Sequence, residues 1–241
     1  MLSLLFLVTL KPMKRLLGIC LGLLVSFGMS GQDESSGALS SGKFLIDAGL
    51  GFGVEIAQTN VDDDSVSTGG AVPGLLHLRV SYAITPKFMA HIRMERHGYA
   101  SAPEDSIMIG GGSFSIGGSY VFLNNPKHTM DVGLMLGSSS LTITPTSASE
   151  EANDVYYSST EGSTVTLNVG GRTYGNSGFG IMYELSWTSR TYQRFDYHDN
   201  SMNPKEGEWR TTKNTLNPND DEAVELGLAG MNIRVGVSYR F

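Results

Sequence analysis

At 241 residues, a formal net charge of −7 and 17% charged side chains, the chain is sized for one domain and too acidic to favour nucleic acid. Beyond its N-terminal segment no apolar run approaches the ~18 residues that a membrane helix needs, which excludes a helical membrane bundle. The single cysteine, Cys20, falls in that segment, so neither disulfides nor thiol chemistry are expected of the remainder.

Residues 1–31 read as a signal peptide: Met13-Lys14-Arg15 gives a positive start, Leu16 to Met29 an apolar stretch, and Gly28, Ser30 and Gly31 the small residues before a polar Gln32. Met13 is the expected true start. An N-terminal anchor helix is disfavoured by Pro12 and the Lys14-Arg15 pair. Residues 32–42 are expected to form a periplasmic N-terminal linker. Lys11, Lys14 and Arg15 all lie in the leader, so the rest carries 14 basic residues against 24 acidic ones.

From residue 43 to 241 the apolar residues recur with period two. Phe44, Ile46, Ala48, Leu50, Phe52, Val54 and Ile56 oppose Leu45, Asp47, Gly49, Gly51, Gly53, Glu55 and Ala57, which a helix cannot present on two faces. Similar runs follow over about 76–84, 88–97, 108–122, 130–137, 164–172, 179–190 and 231–241. Short turns at Thr85-Pro86-Lys87, Leu123 to His128 and Gly175 to Ser177 carry the Pro, Asn and Gly of turn chemistry. They alternate with polar stretches, about Gln58 to Ala71, Gly98 to Ser106, Pro145 to Gly162 and Asp196 to Ala223. Eight strands, three short turns and four long loops give an all-β, antiparallel up-and-down barrel crossing a membrane.

The two faces say which side meets lipid. A soluble barrel hides its apolar face and shows Lys and Glu to water; here the polar face is mostly Gly, Ser, Ala and Thr, which suits a narrow lumen. Phe44, Tyr82, Phe88, Tyr120, Phe122, Phe179, Tyr239 and Phe241 share the apolar parity and gather near the short turns, as a girdle at a lipid–water boundary does. The opposite parity collects Asp47, Glu55, Arg79, Arg93, Glu95, Asp131, Arg172, Glu184, Arg190, Arg234 and Arg240, with His77 and His91, expected as an ion-paired filling of the lumen.

Gly236, Tyr239 and Phe241 stand in the spacing of the C-terminal signal of outer-membrane barrels. With the eight-strand pattern, residues 42–241 resemble the small OmpA/OmpX-type outer-membrane proteins, in particular barrel proteins of the Bacteroidota. The resemblance implies residence in a Gram-negative outer membrane among lipid and lipopolysaccharide, and recognition by the barrel-assembly machinery. It implies no single activity, because this fold carries adhesins, pores and enzymes.

No catalytic, metal or cofactor constellation stands out. Sixteen of the 24 acidic residues lie in the four long loops without the spacing of a cation loop. None of His77, His91, His97, His128 or His198 precedes a Ser by two, as a lipid A deacylase pair requires, and His198, Asp199 and Ser201 form only a chance-level acyltransferase set. Tyr192, Phe195, Tyr197 and Trp209 make the fourth loop the candidate contact surface for an unidentified partner. The expected role is structural or surface-interacting, for a monomer and not an enzyme; a narrow solute or ion conduit is the alternative, a lipid A-modifying enzyme the second.

Overall fold

The computed structural model describes residues 37–61, 65–99, 107–145, 155–193, 195–199 and 225–241. Ten strands are present among them: β1 (Phe44–Val61), β2 (Ser65–Ala71), β3 (Pro73–Thr85), β4 (Phe88–Tyr99), β5 (Ile107–Asn124), β6 (His128–Pro145), β7 (Val155–Tyr174), β8 (Phe179–Gln193), β9 (Asp196–Asp199) and β10 (Glu225–Arg240). β2 and β3 both pair with β1 and break only at Val72, so they form one wall; β9 continues the β8 side of β7. Every pairing is antiparallel, and β10 pairs with β1 from Leu45↔Arg240 to Asn60↔Glu225, closing eight walls into a barrel without an edge in its wall.

The register fixes the barrel's width. Directly opposed pairs lead from Asp47 through Arg79, Arg93, Ser115, Gly137, Thr164, Arg190 and Leu228 to Ala57, ten residues further along β1. For eight strands that stagger tilts each strand by about 40°, leaving a lumen that side chains can fill.

Alternation then sorts the residues. Burial switches at every position along β4 and along β3 as far as Ile84, with His77, Arg79, His91, Arg93 and Glu95 inside. Leu50, Phe52, Val54, Leu76, Leu78, Ile92, Ile116, Leu136, Leu185, Ile233 and Val235 are exposed on the outer wall. At the short-turn end the girdle aromatics stand in directly opposed pairs, with ring centroids 4.9 Å apart for Phe44–Tyr82, 5.3 Å for Phe88–Tyr120 and 4.5 Å for Phe179–Tyr239. Phe241 closes edge-on over Tyr239 at 4.7 Å. Tyr120 keeps the outer parity but is buried, unlike exposed Phe44, Tyr82, Phe88, Phe122 and Phe179.

The strands outrun the apolar pattern at the long-loop end. Residues 58–61 and 65–71, expected in a loop, pair from Glu55↔Ala71 to Val61↔Ser65, and β7 begins at Val155. A ladder continues while each backbone N–H and C=O finds a partner; Ser, Thr and Gly interrupt the hydrophobic alternation there without interrupting the pairing.

Candidate functional site

The lumen is polar at mid-height and apolar at both ends. At the short-turn end Ala38, Leu39, Leu45, Ala83, Met89, Val121 and Tyr174 form a buried cluster. At the long-loop end Tyr99, Leu141, Tyr192, Phe195 and Leu228 form another, with Ala57, Ala71, Ile109, Ile143 and Leu226 against it. Five arginines and five carboxylates occupy the space between them.

These ten charges form one connected chain. Asp131 takes Arg172 Nη1 at 2.7 Å, and Arg172 Nη2 reaches Asp47 at 2.8 Å. Arg79 joins Asp47 (2.9 Å) to Glu184 Oε2 (2.6 Å). Arg234 joins Glu184 Oε1 (3.1 Å) to Glu95 Oε2 (2.7 Å), and also donates to Ser186. Arg190 joins Glu95 Oε1 (2.7 Å) to Glu55 Oε1 (2.6 Å). The Tyr99 hydroxyl donates to Glu55 Oε2 at 2.9 Å and ends the series under the upper cluster. Arg93 is a branch, donating from Nη2 to Glu184 Oε2 at 2.6 Å.

Closure of the sheet explains this arrangement. Arg79 and Arg93 stand directly opposite on β3 and β4, a like-charge pairing that is unfavourable in an open sheet. Glu184, on β8, reaches across the lumen and accepts from both. Space for the long side chains comes from glycines on the inner face of β1. A Cβ on Gly51 would lie 2.8 Å from Arg234 Cγ, and one on Gly49 would lie 2.9 Å from His77 Cε1. His91 is held between Ser81 Oγ (2.7 Å) and Ser119 Oγ (2.8 Å).

Ten of the expected interior charges, Asp47, Glu55, Arg79, Arg93, Glu95, Asp131, Arg172, Glu184, Arg190 and Arg234, lie in this chain. Arg240 does not. It sits only half-buried at the short-turn mouth, donates to the Ala38 carbonyl at 2.7 Å and stacks over Tyr174 at 4.7 Å, because β10 ends there.

Tyr192 and Phe195, expected on the outer surface of the fourth loop, turn into the barrel and are fully buried. The Tyr192 hydroxyl meets Ser139 Oγ at 2.8 Å and His97 Nε2 at 3.2 Å. Its parity with Glu184, Ser186, Thr188 and Arg190 was the signal for an inward side chain. Tyr99 likewise follows the parity of Arg93, Glu95 and His97. Tyr197 lies in β9. Trp209, Ser201, residues 1–31 and Asp62-Asp63-Asp64 lie outside the described residues.

A closed barrel of eight antiparallel walls, without a helix among the described residues and with an apolar exterior and a charged interior, is the outer-membrane β-barrel fold. Outer membrane protein OprG from Pseudomonas aeruginosa shares it, with a TM-score of 0.52 at 12% identity over 84% of this chain and 97% of that one. Neisserial surface protein A aligns with a TM-score of 0.40 at 13% identity over 81% of this chain and 99% of that one. Ail, the attachment invasion locus protein of Yersinia pestis, aligns with a TM-score of 0.38 at 12% identity over 83% and 99%. No protein-family model and no curated protein sequence matches the chain.

Proposed function

We propose that the chain is an exported, integral outer-membrane protein that serves as a closed anchor and works at the cell surface through its long-loop end. The observation that carries this reading is the chain of ion pairs from Asp131 to Glu55, which crosses the lumen between two apolar clusters. A lumen occupied in this way suits holding a rigid wall in lipid better than passing solute. The exposed apolar wall supports contact with acyl chains, and the paired aromatics at the short-turn end support a periplasmic boundary there.

With Tyr192 and Phe195 committed to the interior, the surface role rests on the acidic character of the long loops. Lipopolysaccharide is the surrounding anionic surface, and the acidic loops would be kept off it by repulsion.

Expressed with its leader in a Gram-negative host, the protein is expected in the outer-membrane fraction. Its unboiled form should migrate differently from the boiled form on gels. Recovery in the soluble periplasmic fraction, or identical mobility in the two samples, contradicts the proposal.

Phe241 serves in assembly within this reading, with Gly236 and Tyr239 completing the signal. Deleting Phe241 is expected to lower the amount of heat-modifiable barrel in the outer membrane severalfold, as gels of membrane fractions would show. Phe241 adds an aromatic ring to the girdle and a backbone N–H to the Phe44 carbonyl at 3.0 Å. Purified barrel that has already folded should therefore lose little stability.

A further inference from the structure

Residues 37–42 leave the start of β1 and cross the short-turn mouth. The crossing begins at Gly42, whose φ of 86° belongs to the left-handed region that only glycine adopts freely. Its N–H donates to the Ala83 carbonyl at 2.8 Å, and Ser41 Oγ donates to the Ile84 carbonyl at 2.8 Å. On the far side Asn124 reads the backbone of Leu39 in both directions. Leu39 N donates to Asn124 Oδ1 at 2.9 Å, and Asn124 Nδ2 donates to the Leu39 carbonyl at 2.9 Å. The Ala38 N–H donates to the Asn125 carbonyl at 2.9 Å, while Arg240 holds the Ala38 carbonyl from the end of β10.

The Leu39 side chain is fully buried among Leu45, Ala83, Met89, Val121 and Tyr174. Gly37 fits against Asn124 only without a side chain, since a Cβ would lie 2.5 Å from Asn124 Nδ2.

The places joined are telling. β1 and β10 form the seam where the sheet closes on itself, and the β5–β6 turn that carries Asn124 and Asn125 lies diametrically opposite in a ring of eight walls. A segment tied to both spans the mouth. We propose that residues 37–42 are a latch: seated by Leu39 and Asn124, they lock the seam of the closed barrel and seal the base of its lumen.

The test uses the full chain in a Cys20→Ser background, folded into phosphatidylcholine vesicles. A Leu39→Cys probe is expected to resist maleimide in the folded barrel and to label at once in urea. Adding Asn124→Ala should expose it and raise the unfolding rate about tenfold, the effect of losing a part-buried pair of hydrogen bonds. The Leu39→Asp variant, which places a charge in the apolar seat, should unfold at least as fast. Labelling of the folded Leu39→Cys barrel as fast as the unfolded chain overturns the latch. So does an Asn124→Ala barrel that unfolds at the parent rate.

Discussion

Replacing Glu184 with Gln is expected to cost the barrel about 3–5 kcal/mol in urea unfolding from lipid vesicles, the range for removing one partner of a buried ion pair. Three arginines converge on this carboxylate, Arg79 and Arg93 at 2.6 Å and Arg234 at 3.1 Å. Arg79 retains Asp47 and Arg234 retains Glu95 when the charge is lost, but Glu184 is the ion-pair partner found for Arg93 among the described residues. The penalty therefore falls mainly on Arg93 and on its repulsion from Arg79 across the β3–β4 pair. Adding Arg93→Met should restore much of the loss, because it removes the stranded charge. A Glu184→Gln barrel as stable as its parent, or one that Arg93→Met weakens further, would contradict the network.

The outer wall yields an equally direct expectation. Leu78 lies on the outer face of β3, opposite Ala48 of β1 and Met94 of β4. Leu78→Arg should cost about 2–4 kcal/mol in vesicles, as a cation facing the bilayer midplane does. Gln58→Arg, on the same face beyond the apolar belt, should cost at most about 1 kcal/mol, as near the interface. The contrast isolates lipid contact from strand propensity, since both positions are exposed and strand-bound. Equal effects at the two sites would mean that the exposed apolar face does not meet acyl chains.

The wall of this barrel was legible because each strand repeats one rule. Phe44 to Ile56 alternates without a break, and a period of two is a property that a single strand displays without its neighbours. The identity of the interior charges followed from the same parity. Their partners did not, because pairing across a lumen depends on which walls closure brings face to face. Glu184 lies more than ninety positions along the chain from Arg93 and is joined to it across the barrel.

Misplacements came where local context outweighed parity. Arg240 has the inner parity, yet the strand ends beneath it and leaves it at the mouth. Tyr192 continues the inward series of β8, but the polar run that follows gave it the look of a loop residue. Phe195 stands between the end of β8 at Gln193 and the start of β9 at Asp196, so alternation no longer specifies its direction. The latch had still less to show: Ala38 and Leu39 are two apolar residues among Gly and Ser, and their seat exists only once the barrel has closed.

The closed anchor is tested most directly by planar-bilayer recordings on the refolded full chain, with insertion verified by heat-modifiable mobility. A lumen filled from Asp131 to Glu55 and capped at both ends should give a steady baseline without discrete current steps. Reproducible single-channel openings from the same folded preparation would contradict it and identify the barrel as a conduit.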